Sequence, residues 1–212
     1  ASFNKHLKIR PMLFKTWCSI LKAVPLSVLW LLRFPAESEP QLRKAFASAG
    51  IAPERLIISN FVSTAEENFK RLAVGADLLL DTTVYGAHTG AVDALWAGVP
   101  LLTCVGDCGE APGHGDAMAS RVAASMLTAL GLNDTLVTSS LEAYERAAVG
   151  LATQPEDYAK VRKRLIRTRK RARMWDSAAY ARDFADGVQQ AYDARVGVAA
   201  AQQIPDVYVS AH

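Results

Sequence analysis

Leu78-Leu79-Leu80-Asp81-Thr82-Thr83-Val84-Tyr85-Gly86-Ala87-His88-Thr89-Gly90 is the stretch on which the reading of this chain turns. The three leucines, inside a segment from Ala76 to Thr82, read as a short strand buried on both faces. A glycine-containing turn, Tyr85-Gly86-Ala87, follows, and a helix runs from His88 to Ala97 until Gly98-Val99-Pro100 stops it. The first N–H groups of such a helix are unpaired and its dipole is positive there, so this end suits a phosphate. Thr89 adds a hydroxyl donor, Gly90 lets an anion approach the backbone, and Asp93, one turn on, is placed to accept from a sugar hydroxyl. The competing reading makes Thr89 a plain helix-start residue and Asp93 a solvated one, since many such turns bind nothing. Neither a Gly-x-Gly-x-x-Gly fingerprint nor a P-loop lysine is present.

On either side the same alternation continues. Before the quoted stretch come a helix from Pro11 to Ala23, a strand Leu26–Leu32 closed by Phe34-Pro35, and a helix Glu39–Ser48. A strand Arg55–Ile58 and a helix Thr64–Leu72 follow, the latter opened by a Thr64/Glu67 capping box. After it come a strand Leu101–Val105, a helix Met118–Leu130, a brief strand Thr135–Val137, and helices near 141–152, 155–173 and 178–194. Apolar strands alternating with helices predict an α/β fold, a Rossmann-like parallel sheet with helices on both faces. Ligands of such sheets bind beyond the carboxyl ends of the strands.

The chain has 212 residues, half of them hydrophobic and 21% charged, with a net charge of +3. It can bury a sizeable core, and its charge demands neither nucleic acid nor a membrane as partner. The longest apolar stretch, Val24 to Leu32, is interrupted and too short to span a bilayer. No export signal is recognisable. Cys18, Cys104 and Cys108 form no framework, so free thiols in a reducing compartment, cytoplasm or nucleus, are expected.

Several runs resemble the O-linked N-acetylglucosamine transferases and their SPINDLY-like branch. They are Val28-Leu29-Trp30-Leu31-Leu32-Arg33-Phe34-Pro35-Ala36, Leu80-Asp81-Thr82, His88-Thr89, Asp93-x-Leu95-Trp96-Ala97-Gly98-x-Pro100, and Ala119-Ser120-Arg121-Val122-Ala123-Ala124-Ser125. Phe3-Asn4 with Lys8-Ile9, and Met174-Trp175-Asp176-Ser177, fit less sharply. The resemblance runs in order over roughly residues 2–195. It implies that residues 1–195 are the nucleotide-sugar-binding half of a GT-B type transferase, its first strand truncated, with 196–212 as a tail.

The resemblance also implies roles. Lys8 and the pair His88-Thr89 would contact the donor's pyrophosphate, with Lys8 the catalytic cation and Gly90 beside them. Asp93 would hold the ribose, and Arg71 would border the uracil. The reaction implied is inverting transfer of N-acetylglucosamine from UDP-GlcNAc to Ser or Thr hydroxyls of an acceptor protein, with no cofactor and no metal. Four positions depart from the family pattern. Asn68 stands for a uracil-stacking histidine, Ala65 for a ribose-binding lysine, Gly90 for a second threonine, and Lys5 for a Gln or Asn. An acceptor-side half and helical repeats would complete the enzyme, so these residues alone are not expected to turn over. The rival expectations are a non-catalytic scaffold or subunit of an assembly, and a protein O-fucosyltransferase using GDP-fucose.

Other features have plainer readings. Lys160 to Arg173 holds nine basic residues in fourteen. It reads as a solvated helix whose Val161, Leu165 and Ile166 face the sheet, rather than a nucleic-acid surface. Cys104, Cys108, His114 and Asp116 are too irregularly spaced for a metal site. His6 reads as a surface histidine, and Trp17, Trp30 and Trp96 as core.

Overall fold

A computed structural model describes residues 1–106, 108 and 117–196 of the chain. His114, Asp116 and residues 197–212, the body of the expected tail, lie outside them. The chain divides into two compact units, Ala1–Lys170 and Arg171–His212.

The first unit begins with α1 (Pro11–Ala23), which has proline at its first turn and buries Leu13, Trp17, Ile20 and Leu21 at helical spacing. Then follow β1 (Leu29–Leu32), α2 (Glu39–Ser48), β2 (Leu56–Ser59), α3 (Ala65–Gly75) and β3 (Leu79–Leu80). Next come α4 (Thr89–Ala97), β4 (Leu101–Cys104), α5 (Met118–Ala129), α6 (Asn133–Leu136) and β5 (Val137–Thr138). The last two helices are α7 (Leu141–Thr153) and α8 (Pro155–Arg169).

All the strand pairs are parallel: β1 with β2, β3 with β4, and β4 with β5. Ala1 and Ser2 join the two groups. Ser2 bridges Leu31 in parallel and its N–H donates to Trp30 O, while Leu80 N donates to Ala1 O. The order β2–β1–(Ala1–Ser2)–β3–β4–β5 results, which is that of a Rossmann-type sheet. β4 is buried at every residue, as a strand covered on both faces must be. The strand order therefore reverses between Ala1–Ser2 and β3, and in sheets of this kind the carboxyl ends at such a switch point are where ligands bind.

Caps set several boundaries. Thr64 Oγ1 accepts from Glu67 N at 3.2 Å as the capping box predicts, although Glu67 returns its carboxylate to Ser63 N rather than to Thr64. Ser140 caps α7 by accepting from Ala143 N. Gly98 ends α4 at φ 83°, and a Cβ there would collide with the Arg169 guanidinium, which donates to Trp96 O.

The structure corrects several expectations. The segment 135–137 is mostly the short helix α6, because Leu132 O accepts from both Thr135 N and Leu136 N, and only Val137–Thr138 pairs with β4. Leu26 lies outside β1 and is 99% exposed. Trp17 is buried, but Trp96 is 41% exposed on α4 and Ile166 46% exposed on α8, so neither belongs to the core. His6 is buried rather than on the surface, with Nδ1 against Ser38 Oγ, and burial holds its imidazole below the usual pKa. Cys104 and Cys108 are joined in a disulfide, their Cα atoms 6.4 Å apart, so only Cys18, buried in α1, is a free thiol. Among the described residues no helix is long and apolar enough to cross a membrane.

The second unit contains a 3-10 turn at Arg173–Trp175 and α9 (Ser177–Val196). Arg173 Nη2 grips both carboxylate oxygens of Asp183 at 2.8 and 2.9 Å, tying the turn to the helix.

Candidate functional site

Beyond the carboxyl end of Ala1–Ser2 the chain makes a 3-10 turn, His6–Lys8, and beyond β3 it makes the turn that leads into α4. The neighbouring positions of the two strands bring these turns together. Lys8 Nζ donates to Gly86 O at 2.9 Å and to Asn4 Oδ1 at 3.2 Å, and sits 3.7 Å from the centroid of the Tyr85 ring. Partial burial lowers the pKa of this ammonium, while the carboxylate of Asp81 draws it back up. The cation is thus delivered to the rim of the turn ahead of α4.

Asp81 shapes that turn. Its Oδ1 accepts from Thr82 N at 2.8 Å, from Ala87 N at 2.6 Å and from Asn4 Nδ2 at 3.3 Å; Oδ2 accepts from Thr103 Oγ1 at 2.8 Å. Tyr144 OH donates to its carbonyl at 3.0 Å. Asn4 Nδ2 also reaches Thr82 Oγ1, which in turn donates to Tyr85 O. The carboxyl is fully buried and its pKa is pushed up to about 6 by that burial, against the pull of its hydrogen bonds. A Cβ at Gly86 would stand 3.0 Å from Asp81 Oδ2, so the turn passes too close for any other residue without rearrangement.

His88 is the residue before α4, and its Nε2 lies 3.1 Å from Ala119 O. A carbonyl only accepts, so Nε2 carries a proton and donates it to Ala119 O. The first bonds of the helix run from Ala91 N and Val92 N to His88 O, which leaves the amides of Thr89 and Gly90 ahead of them. A Cβ at Gly90 would meet only Ala87 Cβ, at 4.0 Å, so this glycine is not required by packing.

One turn along α4, the half-buried Asp93 faces α3. Its Oδ2 accepts from Asn68 Nδ2 at 2.7 Å, and Asn68 Oδ1 accepts from Arg71 Nε at 2.8 Å. Arg71 also donates to Asn60 O at 2.9 Å and lies over the Phe3 ring, 4.6 Å from its centroid. Burial raises the pKa of Asp93, and the Asn68 hydrogen bond and the Arg71 charge oppose it. Lys5 reaches away over the Phe34 ring, 4.6 Å from its centroid, and Ala65 is an exposed first residue of α3.

The structure therefore gathers Lys8, His88, Thr89 and Gly90 around one turn and Arg71 and Asp93 around the next. Asp81, Asn4 and Gly86, which build the turn, carry no role in the sequence reading. For Asn4 and Asp81 the available signal was their place in runs shared with a known family, and for Gly86 it was the glycine-containing turn itself. Among the described residues no three His, Cys, Asp or Glu side chains converge as metal ligands would. A cavity of about 440 Å³ opens at the opposite ends of the strands, among Leu26, Val28, Gly75 and Asp77; its lining is mainly apolar and includes none of the residues gathered at the turn.

A model of the family described as glycosyl transferase family 41 matches residues 1–184. The probable UDP-N-acetylglucosamine–peptide N-acetylglucosaminyltransferase SEC of Arabidopsis thaliana is 43% identical over 152 residues, covering 72% of this chain and 14% of its own length. The UDP-N-acetylglucosamine–peptide N-acetylglucosaminyltransferase of Caenorhabditis elegans is 36% identical over 185 residues, covering 87% of this chain and 15% of its own. Among solved structures, a mutant O-GlcNAc transferase of Thermobaculum terrenum superposes with a TM-score of 0.74 at 30% identity, covering 87% of this chain and 34% of that one. The chain thus spans about a seventh of these curated relatives and about a third of the solved structure.

Proposed function

The chain belongs to glycosyl transferase family 41, and from that we propose that it forms the donor-binding half of a protein O-GlcNAc transferase. The donor is UDP-GlcNAc, and the acceptor is a Ser or Thr hydroxyl of a protein. The observation that carries this reading is the placement of Lys8 Nζ, 2.9 Å from Gly86 O, at the turn that opens α4. The departing group of a nucleotide-sugar transfer is a diphosphate, whose negative charge grows as the sugar–oxygen bond breaks. An ammonium on one side and the amides of Thr89 and Gly90 on the other meet that charge with dipoles already in place. The acceptor oxygen attacks the face opposite the departing phosphate, so the sugar carbon inverts, and no metal is needed where the chain supplies the positive charge.

In this reading Asp93 accepts from the ribose and Arg71 faces the base. The side chain of His88, with Nε2 engaged by Ala119 O, reaches phosphate only through Nδ1. Acceptor binding and the other side of the cleft belong to the part of a family member that this chain does not span.

Calorimetry of the full chain with UDP and with GDP tests the reading. UDP is expected to bind, GDP to bind more weakly, and Lys8→Ala to weaken UDP about 10- to 100-fold, the value of a charge-assisted contact. Tighter binding of GDP replaces the uridine donor with a guanine nucleotide. Binding of neither leaves the chain a scaffold.

A further inference from the structure

Asn68 lies where α3 faces α4, between two opposite charges that border the same space. The direction of its amide is set by chemistry, since a guanidinium only donates and an ionised carboxylate only accepts. Oδ1 must therefore face Arg71 and Nδ2 must face Asp93, as the 2.8 and 2.7 Å contacts have it. Among the described residues Arg71 and Asp93 form no direct ion pair. Arg71 is held on its other sides by Asn60 O and the Phe3 ring, which leaves Nη2 without a described partner. Among the described residues Asp93 Oδ1 is likewise without a hydrogen-bond donor.

We propose that Asn68 is a positioning residue that keeps an acceptor and a donor apart for a ribonucleoside: it aims Asp93 Oδ1 at a ribose hydroxyl and holds Arg71 for a carbonyl oxygen of the base. The proposal rests on the nucleotide reading of this crevice. Its physical content is that a half-buried carboxylate and a nearby guanidinium, left to themselves, close into an ion pair in which each satisfies the other. An amide between them accepts from one and donates to the other, and leaves each with a free edge. Burial raises the pKa of Asp93, and the Asn68 contact is the first influence that holds it ionised.

Calorimetry on the full chain with UDP, 2′,3′-dideoxy-UDP and inorganic pyrophosphate tests this, in the parent protein, in Asn68→Asp and in Asn68→Ala. The parent is expected to prefer UDP over the dideoxy compound by about tenfold, one hydrogen-bonded hydroxyl's contribution. Asn68→Asp keeps the size of the side chain and the acceptor for Arg71 but sets a carboxylate against Asp93. It should erase the preference by weakening UDP alone. Asn68→Ala lets Arg71 and Asp93 close on each other and should weaken both nucleotides while pyrophosphate binding holds.

Loss of all three ligands together in both variants would show a merely structural role and overturn the proposal, as would an unchanged preference in Asn68→Asp. A parent protein that binds pyrophosphate but no UDP removes the nucleotide reading itself, and the proposal with it.

Discussion

The turn before α4 and the gap between α3 and α4 are fixed by different means. At the turn, most of the contacts end on backbone: Asp81 receives two main-chain amides, Gly86 N donates to Ala119 O, Gly86 O receives Lys8, and Tyr144 holds the carbonyl of Asp81. Between the helices, a chain of side chains, Arg71 to Asn68 to Asp93, carries the arrangement. A backbone-built seat cannot be re-specified by one surface substitution, because its geometry is distributed over residues 4, 81–88, 103 and 119. A side-chain relay can. Two of the four departures from the family pattern, Asn68 and Ala65, lie on α3, and a third, Gly90, falls where packing leaves open space.

The largest effect that would break this contrast is expected at Asp81. Asp81→Ala strips four donors of their acceptor and should cost roughly 3–5 kcal/mol in a urea unfolding midpoint, since each buried unpaired donor costs about 1–3 kcal/mol. A loss below about 1 kcal/mol would mean the turn holds itself without the carboxylate. A second test uses pH. The folded pKa of Asp81 is raised, from 3.8 to about 6, so its neutral form is the one the fold favours. Its contribution is fully present below 3.8 and is lost as pH rises through about 6. The size of that loss is about 3 kcal/mol. Measured as the difference between the parent and Asp81→Asn, stability should fall between pH 4 and 6 and stay level above. The smallest effect is expected at Gly90. Gly90→Ala adds a methyl to open space near the helix start and should stabilise by roughly 0.5 kcal/mol. A clear destabilisation there would mean that the turn is tighter than the side-chain relay, even at its outer face.

What the sequence disclosed follows the range of each interaction. Pro11 and the apolar spacing behind it place α1, and Glu39–Ser48 is α2 residue for residue, because periodicity and caps are local. Most strands are legible as strands, but β1 and β3 are shorter than their segments, with Leu26 exposed and Ala76–Leu78 outside β3, and β2 is shifted by one residue to Leu56–Ser59. Where pairing stops depends on the neighbour, which no single segment contains. Segment 135–137 failed for the same reason, since a two-residue strand has too little pattern to be told from a helical turn. His88, Thr89 and Asp93 are legible from helix-start chemistry together with the resemblance, and Lys8 from the resemblance alone. Asp81 as the centre of the turn was not, because its partners come from positions 4, 82, 87 and 103 and only the sheet order brings them together. The three cysteines misled: an odd count with no framework reads as free thiols, yet two residues four apart can close a bridge at the end of β4.

Arg169 gives the basic helix α8 a meaning beyond solvation. Its guanidinium reaches Trp96 O and lies over Gly98, at the negative pole of α4. The nine residues of that helix separate this pole from Thr89 by about 13 Å. One rod is thus tethered at its tail by a cation from a neighbouring helix, and its head is the end that the proposed function assigns to the diphosphate. The steadiness of that head is a joint property of both helices, so in the proposed site Arg169 would share in how firmly a diphosphate is held without approaching it.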